Sequence, residues 1–494
     1  MEKSTRSEQT PDHASKKPLL LTVALGFSLY WTCFFTMLMR NSFLDGDIEK
    51  LWYHLILRIA FFVGMGAVCL LALFRSDHMA DERGHRILAG GVCLFPLVAA
   101  ISSLTAFSFG LTLPLAFDLI AWGLAGVGLA CLLFFWIELL SAFEKPFVSQ
   151  SLAASVVLGA TAYLVVNVLP FPFNMVLLCA APLLSLGLVR MLEREEDVVF
   201  PAFTSFAESK QHVPPALSYA AVFLVYGVVF GLGIGSTTQF AGGEYLIASI
   251  AFFLLLGALV AHFFLKHFSS HVRQHEVMRV MFPVLVAALI PMSFLQGAAY
   301  MACNLLILSS YICFEIISLD SELWLASTYR ASSFYAVAMA QSTLYLGLAL
   351  GHAIGLFATI TGVANYAMLS TAALVLVVVL AVFVTFAPLQ PIPGNDRSTE
   401  AESDTQQEPG RWKMRCTTVA KDAGLSARET EVFFLLAKGR GIEHIQNKLF
   451  ISGHTVKTHT YNIYKKMGIN SREELLDAIE AADPVEKADL IPQV

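Results

Sequence analysis

The chain has 494 residues, of which 56% are hydrophobic and 14% charged, where an average soluble domain carries about 25% charged residues. Mean hydropathy is +0.65, and 32 Lys and Arg against 38 Asp and Glu leave a net charge of -6. These values exclude an ordinary soluble protein and a partner attracted by bulk positive charge, so any nucleic-acid binding has to be local.

In chain order, Met1 to Lys17 is a polar tail ending in Lys16 and Lys17. The apolar run behind it lacks a small-residue cleavage site and reads as a first membrane helix, not a removed signal. Crossing about 30 Å of hydrocarbon takes roughly 20 apolar residues. Twelve stretches meet that requirement: 18–38, 51–74, 87–106, 113–140, 150–169, 174–192, 216–235, 244–266, 278–297, 299–319, 332–357 and 365–387. Runs such as Leu374 to Phe383 are apolar on every face, as helices in lipid are and barrel strands are not. Seven cysteines lie in these stretches and only Cys416 in a polar region, so neither disulfides nor a cysteine metal site is expected.

Basic residues gather in the amino-terminal tail and in every second connection, among them Arg75, Arg83, Arg86, Lys266, Arg273 and Arg279, while the alternate connections hold Arg40 and Lys50. That bias predicts both termini in the cytoplasm, which an even number of spans allows. The charged connection from Arg194 to Pro214 divides the spans six and six, the layout of a transporter built from two repeats. The connection after the second span, Met79-Ala80-Asp81-Glu82-Arg83-Gly84-His85-Arg86, resembles the Ala-Asp-Arg-x-Gly-Arg-Arg loop of the major facilitator superfamily. It departs at Glu82 and His85, and the matching loop of the second half, His267 to Met278, has neither Gly nor Asp. The resemblance implies a major-facilitator-like bundle.

Ionisable groups within spans are costly and often functional. Arg58, Asp118, Glu138, Glu244, His262, Glu315 and His352 are such groups. Glu138, Glu244, His262 and Glu315 stand near predicted span ends, where a side chain snorkels to the interface. Arg58 and Asp118 are more central, and are read either as an ion pair that fixes helix packing or as the lining of a site that senses a small-molecule ligand.

Residues 388–420 form the predicted linker, rich in proline, acidic and amide residues from Pro388 to Gly410. As coil, about 30 residues hold a domain roughly 30 Å from the bilayer. A small helical domain is predicted over 421–485, followed by a short tail. Its helices are expected at Ala427 to Lys438, Ile442 to Leu449, His454 to Met467, and after Ser471, which with Glu474 makes a capping box. The order short helix, tight turn, longer helix is a helix-turn-helix.

The segment resembles the DNA-binding domain of LuxR-type (GerE-like) transcription regulators. It reads Leu425-Ser426-x-Arg428-Glu429-x-Glu431-Val432, then Leu436-Ala437-x-Gly439. It continues Ile451-Ser452-x-x-Thr455-Val456-Lys457-x-His459, Asn462-Ile463 and Lys465-Lys466-x-Gly468-Ile469-x-x-Arg472. Gly441-Ile442-Glu443-His444 departs from the family's usual Ser-Asn-Lys-Glu. Independently of the likeness, the stretch from His444 to Arg472 has no Asp or Glu and carries Lys448, Lys457, Lys465, Lys466 and Arg472, a local positive strip for phosphates. Helical spacing puts Lys457, Thr458, Tyr461 and Lys465 on one face and Val456, Ile463 and Met467 toward the core. The resemblance implies base-edge reading by Lys457, Thr458 and Tyr461, with Thr455, Asn462 and Lys466 supporting phosphates. His459 is assigned to packing or a phosphate, and Glu431 and Gly439 to structure.

The whole is therefore expected to be all-α: a polytopic twelve-helix membrane bundle plus a C-terminal four-helix domain. No glycine-rich phosphate loop and no paired acid and base with supporting spacing occur, so no catalysis, cofactor or metal is expected. The leading expectation is a regulator in a bacterial inner membrane, whose membrane part senses a solute or membrane state and whose tail binds double-stranded promoter DNA, as a homodimer on a two-fold operator. A secondary transporter with a regulatory DNA-binding tail, and a tail that binds protein, are the alternatives.

Overall fold

The computed structural model describes residues 13–39, 51–79, 81–109, 115–170, 172–195, 209–210, 217–237, 244–268, 285–295, 297–329, 331–361, 366–386, 409–437, 445–446, 449, 452–469 and 471–481. Among them every regular element is a helix. The chain divides into two compact units, Met1–Asn395 and Asp396–Val494.

The first unit contains α1 (His13–Met39), α2 (Leu51–Met79), α3 (Glu82–Val92), α4 (Leu94–Phe109), α5 (Leu115–Ser141), α6 (Lys145–Val168), α7 (Phe173–Glu195), α8 (Leu217–Thr237), α9 (Glu244–Phe268), α10 (Gly297–Tyr329), α11 (Ser333–Thr361) and α12 (Tyr366–Phe386). Among the described residues nine helices are long and apolar enough to cross a membrane, and α8 and α12 contribute the shorter apolar stretches Ala220–Gly233 and Met368–Val382. The predicted third span is two helices. They part at Cys93, three residues before Pro96, whose ring and missing N–H interrupt the backbone ladder. Of the predicted span 278–297, residues 285–292 are helical, and 269–284 and 296 lie outside the described residues. Large apolar side chains such as Phe74, Ile120, Phe252, Phe263 and Val379 face outward, where only lipid tolerates so many.

Helix pairing follows a repeat. Counting α3 and α4 as one span and the helical stretch 285–292 as another, α1 packs on α6 as α8 does on α11, α2 on α5 as α9 does on α10, and α2 on α11 as α9 does on α6. Each partner recurs six spans later, so the unit is two related halves that meet along α2–α11 and α6–α9. Glycines permit the closest approach. A Cβ on Gly347 would stand 2.3 Å from the carbonyl oxygen of Leu224 and 3.0 Å from the Cα of Gly227, and one on Gly351 would stand 2.3 Å from the Val228 oxygen. Backbone contact of this kind supplies association where lipid leaves no hydrophobic driving force. Gly347→Leu is expected to destabilise the first unit by about 3 kcal/mol, read as a lowered melting temperature in detergent. Gly187→Leu, whose added Cβ meets nothing within 4 Å, leaves it unchanged.

One sequence expectation is corrected here. Glu315 does not snorkel from a span end, because α10 continues to Tyr329 and the side chain is 1% exposed. Asp320 and Glu322 also point inward, so charges that read as a loop are part of a buried helix face.

The second unit contains α13 (Pro409–Asp422), α14 (Ala427–Ala437), α15 (Gly453–Met467) and α16 (Arg472–Ala481). Cys416, Ala420, Val432, Phe433, Leu436, Ile445, Val456, Ile463, Leu475 and Ile479 form its core. The helix α13 falls partly in the stretch expected as linker. Cys416 and Ala420, four residues apart, share one face and bury it against the rest of the unit, which is why the chain folds there. The remainder of that stretch lies outside the described residues.

Candidate nucleic-acid interface

The turn entering α14 sets the frame. Gly424 takes φ 59°, a left-handed conformation that glycine adopts without strain. Ser426 and Glu429 form a reciprocal capping box: the Ser426 hydroxyl accepts from the Glu429 N–H at 3.3 Å, and Glu429 Oε2 accepts from the Ser426 N–H at 2.8 Å. Arg428 donates to Glu431 Oε2 at 2.5 Å and to the Leu449 carbonyl at 2.7 Å. It thereby fastens the segment before the turn to α14. The predicted helix over 442–449 is described only at 445–446 and 449, where the backbone is helical; Lys448 and Gly439 lie outside the described residues.

The outward helix, α15, starts one residue before its expected first position. Its N-cap is Ser452, whose hydroxyl accepts from the Thr455 N–H at 3.1 Å. Gly468 closes it at φ 69°, and the Ile469 N–H returns to the Tyr464 carbonyl at 3.0 Å. Val456 and Ile463 are fully buried and Met467 packs on the core. The opposite face carries Lys457, Thr458, Tyr461 and Lys465, all exposed, with Tyr461 at 66%. From Lys457 to Lys465 that face runs about 12 Å, at 1.5 Å per residue, a length the major groove accommodates. Thr455 and Asn462 are half-buried at its margins. Thr455 is held by Ser452, hydroxyl to hydroxyl at 2.8 Å.

Lys466 is placed differently from its neighbours. Its ammonium donates to Glu429 Oε2 at 2.6 Å and to the Gly424 carbonyl at 3.1 Å, tying the end of α15 to the turn before α14. The expectation that Lys466 supports a phosphate competes with this clamp. Glu429 is buried, and the Lys466 ammonium, with help from the Ser426 N–H, holds its carboxyl well down, at about 2. The sign follows from the depressed value. The clamp's contribution is complete above the ordinary carboxylate range near 4.3 and disappears as pH falls toward 2. Acid titration of the second unit by circular dichroism is therefore expected to show stability declining below about pH 5, with Glu429→Gln removing that portion of the decline. The serine and glutamate of this box are three residues apart, a spacing visible in the sequence, but the partnership with Lys466 spans the fold and is not.

The two candidate sensing residues sit in the first unit. Arg58 on α2 is 1% exposed and lies in the electrostatic field of Tyr163 on α6 and His352 on α11. Asp118, in the first turn of α5, is half-buried and accepts a hydrogen bond from the Tyr53 hydroxyl of α2. In the loop that resembles the facilitator motif, His85 Nε2 pairs with Glu138 Oε2 of α5 at 2.7 Å. The Glu138 side chain, expected to snorkel, is held within a helix contact. Among the described residues no group of three or more His, Cys, Asp and Glu side chains is placed to hold a metal ion.

Residues 423–479 match the family model described as bacterial regulatory proteins, luxR family. The oxygen regulatory protein NreC of Staphylococcus aureus is 45% identical to this chain over 53 residues, which is 11% of the chain and 24% of NreC. The chain thus spans about a quarter of the length of the curated relatives it matches. The first unit is similar in fold to the human organic anion transporter MFSD10 (TM-score 0.52, 12% identity, covering 76% of this chain and 100% of that one). It is also similar to a bacterial homologue of the iron transporter ferroportin (TM-score 0.51, 14% identity, covering 75% and 98%). A LuxR-type helix-turn-helix domain therefore follows a major-facilitator-like helical bundle in one polypeptide.

Proposed function

We propose that the protein is a membrane-embedded transcription regulator. Its twelve-span part senses a solute or membrane state in the bacterial inner membrane, and its cytoplasmic tail binds promoter DNA as a homodimer on a two-fold operator. The observation that carries this reading is the outward face of α15. It presents Lys457, Thr458, Tyr461 and Lys465 from a capped helix, and no acidic residue occurs between His444 and Arg472. Base-edge reading falls to Lys457, Thr458 and Tyr461; Lys465, Thr455 and Asn462 supply phosphate contacts. The Lys and Arg bias of the connections supports cytoplasmic termini. Signal passes as a population shift between packings of the two halves, to the extent that the signal binds one packing better than the other.

The test is DNA binding by the full chain in lipid nanodiscs. Binding with sequence preference, weakening steeply with salt as phosphate contacts release counterions, supports the reading. Binding without preference counts against it, and salt-independent capture of protein alone favours an interaction module. A transporter with a regulatory tail is the second reading, favoured by the fold of the first unit. Solute uptake in vesicles that Asp118→Asn abolishes would establish it.

A further inference from the structure

A second polar site lies within the first unit. Glu315 and Glu322 stand seven residues apart on α10, two turns of one face, and their residues are 1% and 0% exposed. Gln341 of α11, also fully buried, lies beside both carboxyl groups. Tyr345 of α11 donates to Glu315 Oε1 at 3.5 Å, a long bond. Tyr30 of α1, Cys69 of α2 and Tyr311 of α10 complete the surroundings of Glu315, and Cys69 also faces Glu322. The other charged groups near this end of α10, Asp320 of the same helix and Lys145 of α6, attract one another, and Asp320 accepts from Ser149 at 2.5 Å.

Buried polar atoms in proteins are almost always hydrogen-bonded, and inside lipid the penalty for leaving them bare is larger. Here Glu315 Oε2, both oxygens of Glu322, both amide atoms of Gln341 and the hydroxyls of Tyr30 and Tyr311 make no well-formed hydrogen bond; Gln341 reaches both carboxyl groups, and Tyr345 reaches Tyr30, only in weak geometry. Among the described residues no Lys or Arg pairs with either carboxylate. The buried Arg58 does not serve, since it precedes Cys69 by eleven residues on α2, about 16 Å along the helix. Two acids, an amide oxygen and phenol oxygens are a hard-oxygen donor set, suited to a small hard cation and not to a soft metal.

We propose that Glu315, Glu322 and Gln341, with the hydroxyl of Tyr30, form a binding site for a small monovalent cation, either a proton or an alkali-metal ion. The site draws on α1 from one half and on α10 and α11 from the other, so its occupancy favours the packing in which the halves close around it. Its consequence for sensing rests on the reading above; the binding itself does not.

The experiment is thermal unfolding of the full chain in nanodiscs, with sodium chloride against choline chloride at equal ionic strength, and then across pH in choline chloride. Ligand that binds the folded form raises the midpoint. An alkali-ion site gives an upward shift of roughly 4 °C or more with sodium; a proton site gives that shift on acidification and none with sodium. Either shift is lost in Glu315→Gln/Glu322→Gln. Glu322→Gln alone removes the charge while keeping the shape of the side chain and disturbing no well-formed hydrogen bond, and should lose most of the shift even where the double variant fails to fold. A wild-type midpoint indifferent to both ions, or a response that Glu322→Gln retains in full, overturns the proposal. A transcription reporter run in parallel separates the two ideas: cation-dependent unfolding with an indifferent reporter refutes sensing through this site and leaves the site standing.

Discussion

Lys457→Glu is expected to weaken binding to a preferred DNA sequence by roughly 100-fold or more, while the second unit stays folded. A good side-chain pair to a base edge contributes about 1–3 kcal/mol of discrimination, and reversing the charge sets a carboxylate against the phosphates as well, so about 3 kcal/mol, or two decades in affinity, is a modest figure. Lys457 is exposed and lies on the face opposite Val456 and Ile463. Among the described residues it makes no hydrogen bond or ion pair that holds the fold, so the change in stability should stay within about 0.5 kcal/mol. Electrophoretic or anisotropy titrations at several salt concentrations read the binding, and circular dichroism reads the fold. Lys465→Met should instead weaken binding to all sequences alike, with the salt slope reduced by about 1.

Lys466→Met is expected to act on stability, even though it removes the same charge from the same helix one residue further on. It strands the Glu429 carboxylate in a buried position, without the ammonium that now lies 2.6 Å away. Leaving a buried charge without its partner costs about 3–5 kcal/mol. The Lys466 side chain is 40% exposed, so solvent screens part of the interaction and about 2 kcal/mol is the expected loss. The double variant Lys466→Met/Glu429→Met should recover much of it, because the stranded charge is gone. Urea unfolding of the second unit distinguishes the cases: equal stability of Lys465→Met and Lys466→Met would contradict the clamp.

These two neighbouring lysines mark the limit of what the sequence alone discloses. The ends of α15 were legible to within one residue, because Ser452 and Gly468 are a cap and a stop whose chemistry is local. The outward face was legible from periodicity, since Val456 and Ile463 fix which side is buried. Lys466 carries the same charge as Lys465 and sits in the same strip; only the fold brings it to Glu429, 37 positions earlier. The helix α13 was hidden by composition. Proline and acidic residues run up to Pro409, and only Cys416 and Ala420 give away the buried side.

In the first unit, apolar length marked the spans well and their interiors poorly. Hydropathy ends the tenth span where Asp320 and Glu322 begin, yet α10 continues through both because their side chains turn inward. A polar face buried against other helices looks, to any average over sequence, like a loop. The break at Cys93 is a similar case, since Pro96 is a single residue in an otherwise continuous apolar run. The pairing of α2 with α11 and of α9 with α6 was not visible at all, although the six-and-six division that it obeys was.

The central claim is that a chain lodged in the membrane reads DNA through α15. It is tested most directly by crosslinking DNA in intact cells, isolating the membrane fraction, and sequencing what the full chain carries down. The expected result is enrichment at a small set of sites with two-fold symmetric sequence, lost in Lys457→Glu at equal protein abundance. An identical DNA profile for the wild-type chain and the Lys457→Glu chain would contradict it.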